Sequence, residues 1–213
     1  MKIEIWSDIA CPWCYIGKRR FEQALAAFPE RESLDVTWRS FQLDASAPAR
    51  QTVPTVELLA TKYRMTIGKA QAMMDSMART GAVDGLDFRF EQTISGNTFD
   101  AHRLIHLAAV SGLREQMVER LFAAYFTEGE SIGEHQTHIR LATDVGLDAD
   151  TVATMLAGNA HADDVRADRQ RASDLGISGV PFFTIDGKYG ISGAQPASAL
   201  TAALAQAWAE SAA

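Results

Sequence analysis

The sequence predicts an α/β fold interrupted by a long helical insertion. Three observations lead there. The first 43 residues read as strand, helix, strand. The last third returns to a helix, a hairpin and a terminal helix. The stretch between them, from about residue 44 to residue 158, reads as helices alone. At 213 residues, 47% hydrophobic and 22% charged, the chain can bury a real core without staples.

The elements follow in order. "KIEIWS" (residues 2–7) alternates Ile3 and Ile5 with polar neighbours and reads as a strand. A helix runs from Pro12, which suits the first helical position, to about Phe28, with Phe21, Leu25 and Phe28 at helical spacing. "LDVTWRSFQL" (34–43) is a second strand. "DASAPARQTVP" (44–54) is a loop by its prolines and small residues. Helical patterns then cover roughly 55–80, 99–111, 114–127, 134–145 and 149–157. Asn97 or Thr98 is expected to cap the helix at 99, with Asp100 in its first turn. A charged helix over 163–178 is closed by Gly176. "VPFFTIDGKYGIS" (180–192) is a hairpin turning at Asp186–Gly187. The chain ends in a helix with Leu200, Leu204 and Trp208 on one face.

A net charge of −7 makes nucleic acid and anionic membrane surfaces poor partners. No apolar run approaches the ~20 residues of a membrane span. Residues 1–10 carry Glu4 and Asp8 where a signal peptide needs an unbroken apolar stretch. The expected compartment is therefore the cytoplasm, where thiols are kept reduced and a merely structural disulfide would be out of place.

The chain has two cysteines, and both lie in "SDIACPWCYIG", residues 7–17. A C-x-x-C pair serves zinc, redox exchange or a structural disulfide. Zinc needs four ligands. The histidine pair of "HRLIH", His102 and His106, lies far down the chain, whereas zinc fingers place their pairs about a dozen residues apart. Redox chemistry fits the placement better. With Pro12 opening a helix, Cys11 is its N-cap, facing unpaired amides and the positive end of the helix dipole. Lowering a thiol's acidity constant by two units takes ~2.7 kcal/mol. The dipole supplies ~0.3–1, and ~2 at best. The amides of Trp13 and Cys14 are expected to hydrogen-bond the sulfur and supply the rest. The Lys18–Arg20 cluster lies ~10 Å along the helix, about one Debye length, and is discounted. Cys14, one turn on, is expected to be more buried and to stay protonated.

The stretches "SDIACPWCYIGKRRFE", "GNTFDAHRL" and "GISGVPFFTIDGKYGISGAQP", in that order, resemble the DsbA family of the thioredoxin superfamily, and within it the FrnE-like branch associated with 2-hydroxychromene-2-carboxylate isomerases. The resemblance implies a thioredoxin fold interrupted by a helical insertion domain. Residues 1–43 and 159–213 would form the split thioredoxin-like domain, and residues 44–158 the insertion, capping the active-site face. It implies a cis Val180–Pro181 bond beside the cysteines, with the Val180 backbone free to pair with an extended substrate. It also carries a contrast. The isomerases and kappa-class glutathione transferases have serine where Cys11 stands.

Together these readings imply a thiol–disulfide oxidoreductase. Cys11 is the nucleophile and Cys14 the resolving thiol. Pro12, Trp13 and Pro181 shape the site, and Val180 meets the substrate. Trp13 is expected to be partly exposed. The chemistry needs no metal and no bound organic cofactor. Partners are proteins or peptides bearing disulfides or thiols, with glutathione a further candidate. Two alternatives stand beside it: a glutathione-dependent isomerase or transferase of kappa-class type, and a non-catalytic binding module with redox-sensing cysteines. Met65, Met73, Met74 and Met77 read as a flexible core stripe rather than a peptide-binding surface. "HRLIH", with His102 and His106, reads either as lying near the active site, as the family's N-T-x-x-A-H-R pattern implies, or as a capping and packing motif, and His135, His138 and His161 have no assigned partner.

Overall fold

The computed structural model describes residues 1–211. The chain divides into two compact units, residues 1–43 with 167–213 and residues 44–166. The second crossing falls inside a helix, at 166/167 rather than at 159. The reason is that the end of that helix is tied to the sheet, as described below. Residues 212 and 213 lie outside the described residues.

In the first unit, β1 (Lys2–Ser7), α1 (Pro12–Ala26) and β2 (Asp35–Ser40) make the opening βαβ, and β3 (Phe182–Ile185) and β4 (Tyr189–Ser192) complete a sheet of order β2-β1-β3-β4. β1 runs parallel to β2, with Trp6 opposite Arg39, and antiparallel to β3, with Ile5 opposite Phe183 and Trp6 opposite Phe182. Asp186 and Gly187 turn the β3–β4 hairpin at φ 50° and 65°, with the Lys188 amide donating to Ile185 O at 2.9 Å and Ile185 pairing with Tyr189 beyond the turn.

Alternation along the strands gives the sheet two apolar faces. Ile3, Phe183, Ile185 and Ile191 point to one side, against Phe21 of α1 and Leu200 and Leu204 of α9 (Ala197–Ser211). Phe28 meets Trp208 edge-on there, with centroids 6.1 Å apart. On the other side Trp6 packs with Phe41, Phe182 and Val180 against Ala172 and Ile177. Ala172 belongs to α8 (Ala162–Asp174).

Charge also lies beneath that second face. Glu4 and Asp168 are buried. Arg39 donates to Glu4 at 2.6 Å and to Asp168 at 2.9 Å, and Arg171 donates to Glu4 at 2.7 Å. Asp168 Oδ2 accepts the Ser40 amide at 2.9 Å, and its carbonyl accepts the Trp6 indole N–H at 3.1 Å. Burial works to raise Glu4, but Arg171 and Arg39 outweigh it and hold the carboxyl below its ordinary value. This network ties the second half of α8 to β1 and β2.

The second unit contains α2 (Thr55–Lys62), α3 (Ile67–Val83), α4 (Phe99–Val110), α5 (Arg114–Phe126), α6 (His135–Asp144) and α7 (Ala149–Ala157). The single helix expected over 55–80 is two. Arg64, at φ 52°, ends α2 in a Schellman motif, the Met65 amide bonding Ala60 O and the Arg64 amide bonding Thr61 O. Thr66 then caps α3 by accepting the Lys69 amide. Met74 is buried, while Met65, Met73 and Met77 are half-buried. Thr98 holds the N-cap position of α4 without a side-chain bond. Asn97 does the capping instead. Its Oδ1 accepts the Phe99 amide at 2.9 Å, and its Nδ2 donates to Ala45 O and Ala47 O of the preceding loop. Buried Arg103 closes the C-terminus of α7, donating to Met155 O, Gly158 O and Ala160 O, and pairs with Asp100 at 2.7 Å. Among the described residues no helix is long and apolar enough to cross a membrane.

Two of the histidines without an assigned partner are paired. His135 meets Asp100 at 3.0 Å and His161 meets Asp164 at 2.8 Å. His138 is fully buried. Burial pushes it from 6.5 down to about 4, with Asp100 and a backbone hydrogen bond to Ile132 opposing and His135 and Arg103 adding to the effect.

Two outcomes follow for stability. Asp168→Ala leaves the Ser40 amide unpaired and Arg39 with Glu4 alone, and is expected to cost about 3 kcal/mol in urea unfolding. His138 binds its proton first in the unfolded chain, so its contribution is full above pH 6.5 and is lost as pH falls toward about 4. From pH 7 to pH 5, wild type is expected to lose about 2 kcal/mol more than His138→Leu. Parallel pH dependence in the two proteins would remove His138 from the account.

Candidate active site

β1 ends at Ser7, and the chain turns once before α1. The Cys11 amide donates to Asp8 O at 3.0 Å and closes that turn. Cys11, at φ −99° and ψ 110°, is the N-cap, and Pro12 is the first helical residue. The Cys14 and Tyr15 amides donate to Cys11 O, at 3.0 and 3.4 Å. The two sulfurs thus sit one helical turn apart. Both are free thiols, and both are buried, Cys11 at 5% exposure and Cys14 at 1%.

The sequence expectation for the Cys11 sulfur is not met. Its side chain makes no cap hydrogen bond, and the Cys14 amide is spent on the Cys11 carbonyl. The thiol instead donates to Val180 O at 3.6 Å. The physical reason is the nearby acceptor: the Val180 carbonyl stands within reach of the thiol hydrogen, and the Cys14 amide is already bonded to the Cys11 carbonyl.

Val180 and Pro181 reach the cysteines through the sheet. Trp6, the last but one residue of β1, pairs with Phe182, the first of β3. The residues just before β3 therefore lie beside the turn that follows β1. The Val180–Pro181 bond is cis, and Pro181 O accepts the Gly193 amide at 2.8 Å. Trp13 points outward and is 42% exposed. Lys18, Arg19 and Arg20 are each engaged away from the cysteines. Lys18 is buried against Glu22. Arg19 lies over the Tyr15 ring at 5.0 Å, and Arg20 donates to Ala194 O at 2.6 Å.

A model of the DSBA-like thioredoxin domain matches residues 2–205. The chain belongs to that family. This DsbA-like thioredoxin domain is 46% identical to a probable DsbA oxidoreductase from Streptomyces coelicolor, whose crystal structure superposes with a TM-score of 0.94 over 99% of this chain and 91% of that one. A 2-hydroxychromene-2-carboxylate isomerase shares the fold at 14% identity, with a TM-score of 0.73 over 100% and 98% of the two chains. The cytosolic disulfide reductase DsbM from Pseudomonas aeruginosa does so at 19%, with a TM-score of 0.68 over 97% and 98%.

The thiols of the DsbA-like site are chemically unequal. Burial pushes the Cys14 thiol well up, and the Cys11 sulfur adds to this by hydrogen bond and charge. The Ser7 hydroxyl and the Asp8 backbone amide work more weakly the other way. Ser7 and Asp8 were not singled out by the sequence reading. Their signal was position, since they end the strand that leads into the cysteine turn. Asp8 also joins that turn to the chain after β2, its Oδ2 accepting the Leu43 amide at 2.7 Å. His102 is buried, while His106 is half-buried and stacks on His161 with centroids 6.3 Å apart.

Iodoacetamide at pH 8 is expected to modify native, reduced protein on Cys11 and to spare Cys14, as read by peptide mass mapping. Equal labelling would contradict the inequality of the two thiols.

Proposed function

We propose that the protein is a thiol–disulfide oxidoreductase that exchanges disulfides with protein or small-thiol substrates through Cys11 and Cys14. One observation carries this reading. The only two cysteines of the chain are free thiols one helical turn apart, and one of them touches the main chain just before Pro181. Family membership and the likeness to a probable DsbA oxidoreductase support it.

The exchange proceeds in two displacements. Cys11, as thiolate, attacks one sulfur of a substrate disulfide. That S–S bond breaks, a mixed disulfide forms on Cys11, and the departing sulfur leaves as a thiolate and takes a proton. Cys14 then gives up its proton and attacks the Cys11 sulfur. The second substrate thiol is released and Cys11–Cys14 becomes a disulfide. The substrate gains two electrons and the protein loses them. A thiol of the glutathione class restores the dithiol, and run in reverse the same steps donate a disulfide. Pro12 starts the helix on which both sulfurs stand. Trp13 offers an exposed apolar surface, and the Val180 main chain receives an extended segment of the substrate. No metal or organic cofactor enters either step. Glutathione as partner is consistent with the disulfide reductase solved with GSH, and that protein's cytosolic name agrees with a cytoplasmic reading here.

The glutathione-dependent isomerase reading is favoured by the shared fold alone. Cysteine at position 11, where the resemblance to those enzymes calls for serine, favours exchange.

The decisive experiment is reduction of a protein disulfide by wild type, Cys11→Ser and Cys14→Ser. Turnover is expected to vanish in Cys11→Ser, and Cys14→Ser is expected to accumulate a mixed disulfide on Cys11, seen as a non-reducing gel shift. Absence of that adduct would overturn the assigned roles. Conversion of an aromatic substrate by Cys11→Ser with glutathione would establish the isomerase instead.

A further inference from the structure

Gly17 is the sixth residue of α1, on the buried face that also carries Cys14. Helix propensity disfavours glycine in such a position. Its backbone is not in the left-handed region, so conformational freedom is not what glycine supplies there. Space is. A Cβ on Gly17 would lie 2.9 Å from Pro181 Cγ, 3.4 Å from Pro181 Cβ and 3.6 Å from Phe183 Cζ. A proline ring is bonded to its own backbone at both ends and cannot swing aside. The added atom would therefore push on the main chain at 180–181. That segment is also held from its other end. Gly193 donates to Pro181 O, and Arg20, one turn along α1 from Gly17, donates to the next carbonyl, Ala194 O. Contact of the Cys11 sulfur with Val180 O, at 3.6 Å, lies on the same short stretch.

We propose that Gly17 is a positioning residue whose missing side chain lets α1 seat Pro181, and so sets the gap between the Cys11 sulfur and the Val180 main chain where a substrate strand is received. Its consequence for activity rests on the disulfide-exchange reading. Its consequence for packing does not.

The test compares Gly17→Ala with Gly68→Ala, a helical glycine of α3 with nothing within 4 Å of the added carbon. Both are made in wild-type and Pro181→Ala backgrounds. Gly68→Ala is expected to leave the melting temperature unchanged or raise it. Gly17→Ala is expected to lower it by several degrees in wild type, but not in Pro181→Ala, where the clashing Cγ is gone. For a disulfide in an extended peptide, KM is expected to rise about tenfold in Gly17→Ala. Both kcat and the reduction of the small disulfide of 5,5′-dithiobis(2-nitrobenzoate) should change less than about threefold.

A melting temperature raised as in Gly68→Ala, an equal loss in both backgrounds, or an unchanged peptide KM would each overturn the proposal. If Gly17→Ala alone does not fold, recovery of folding in Gly17→Ala/Pro181→Ala supports the seat, and failure to recover refutes it. If wild type exchanges no disulfide, the exchange reading fails, while the melting-temperature cycle still decides whether Gly17 seats Pro181.

Discussion

The antiparallel pairing of β1 with β3 is the constraint on which the site depends. Cys11 and Val180 are 169 residues apart in sequence, and no local interaction brings them together. The register does so. Trp6 pairs with Phe182, so the chain leaving β1 and the chain arriving at β3 meet at the same end of the sheet. Strand side chains alternate with a period of two, so a slip of one residue would turn Phe183 and Ile185 out of the apolar face they share with Ile3. It would also carry Val180 past the cysteine turn. Core packing and active-site geometry are thus specified by one ladder.

The second face of the sheet secures that ladder from behind. Trp6 fills the apolar part, and its indole N–H ends on Asp168 O. The carboxylates of Glu4 and Asp168 would be costly to bury alone, and two arginines and a backbone amide satisfy them. A buried ion network of this kind adds little net stability over a well-packed apolar core. Its value is direction. It fixes which residues of α8 face β1 and β2, and so fixes where the chain leaves the helix for Ile177 and Val180.

Elements defined by local chemistry were legible in the sequence. Alternation in "KIEIWS", proline at the first turn of α1, and Asp-Gly in the hairpin each name their structure by backbone sterics. The helix break after Lys62 was not legible, because its left-handed residue is Arg64 rather than the glycine that usually marks a Schellman motif. Asn97 was read as one of two candidate caps, but its second task, stapling the loop at Ala45 and Ala47, is a contact across about fifty residues that no local pattern encodes. Arg103 stands beside His102 in "HRLIH". Its partners are three carbonyls at the end of another helix, which spacing on α4 cannot reveal. Within the site the pair of cysteines and their helix start were plain. The direction of the Cys11 thiol was not, because it depends on the Val180 carbonyl arriving from the far end of the chain.

Burying the resolving thiol poses a problem of timing for the proposed exchange. Cys14 must stay protonated while Cys11 attacks the substrate, and must then ionise to attack Cys11 in turn. Burial alone would keep it protonated throughout. Two of the influences that raise it, however, come from the Cys11 sulfur, by hydrogen bond and by charge. Once Cys11 is bonded to the substrate sulfur it carries neither a negative charge nor a proton to share, and both influences end. The weaker pull of the Ser7 hydroxyl and the Asp8 amide toward the ionised form then acts against burial alone. The first displacement therefore lowers the barrier to the second.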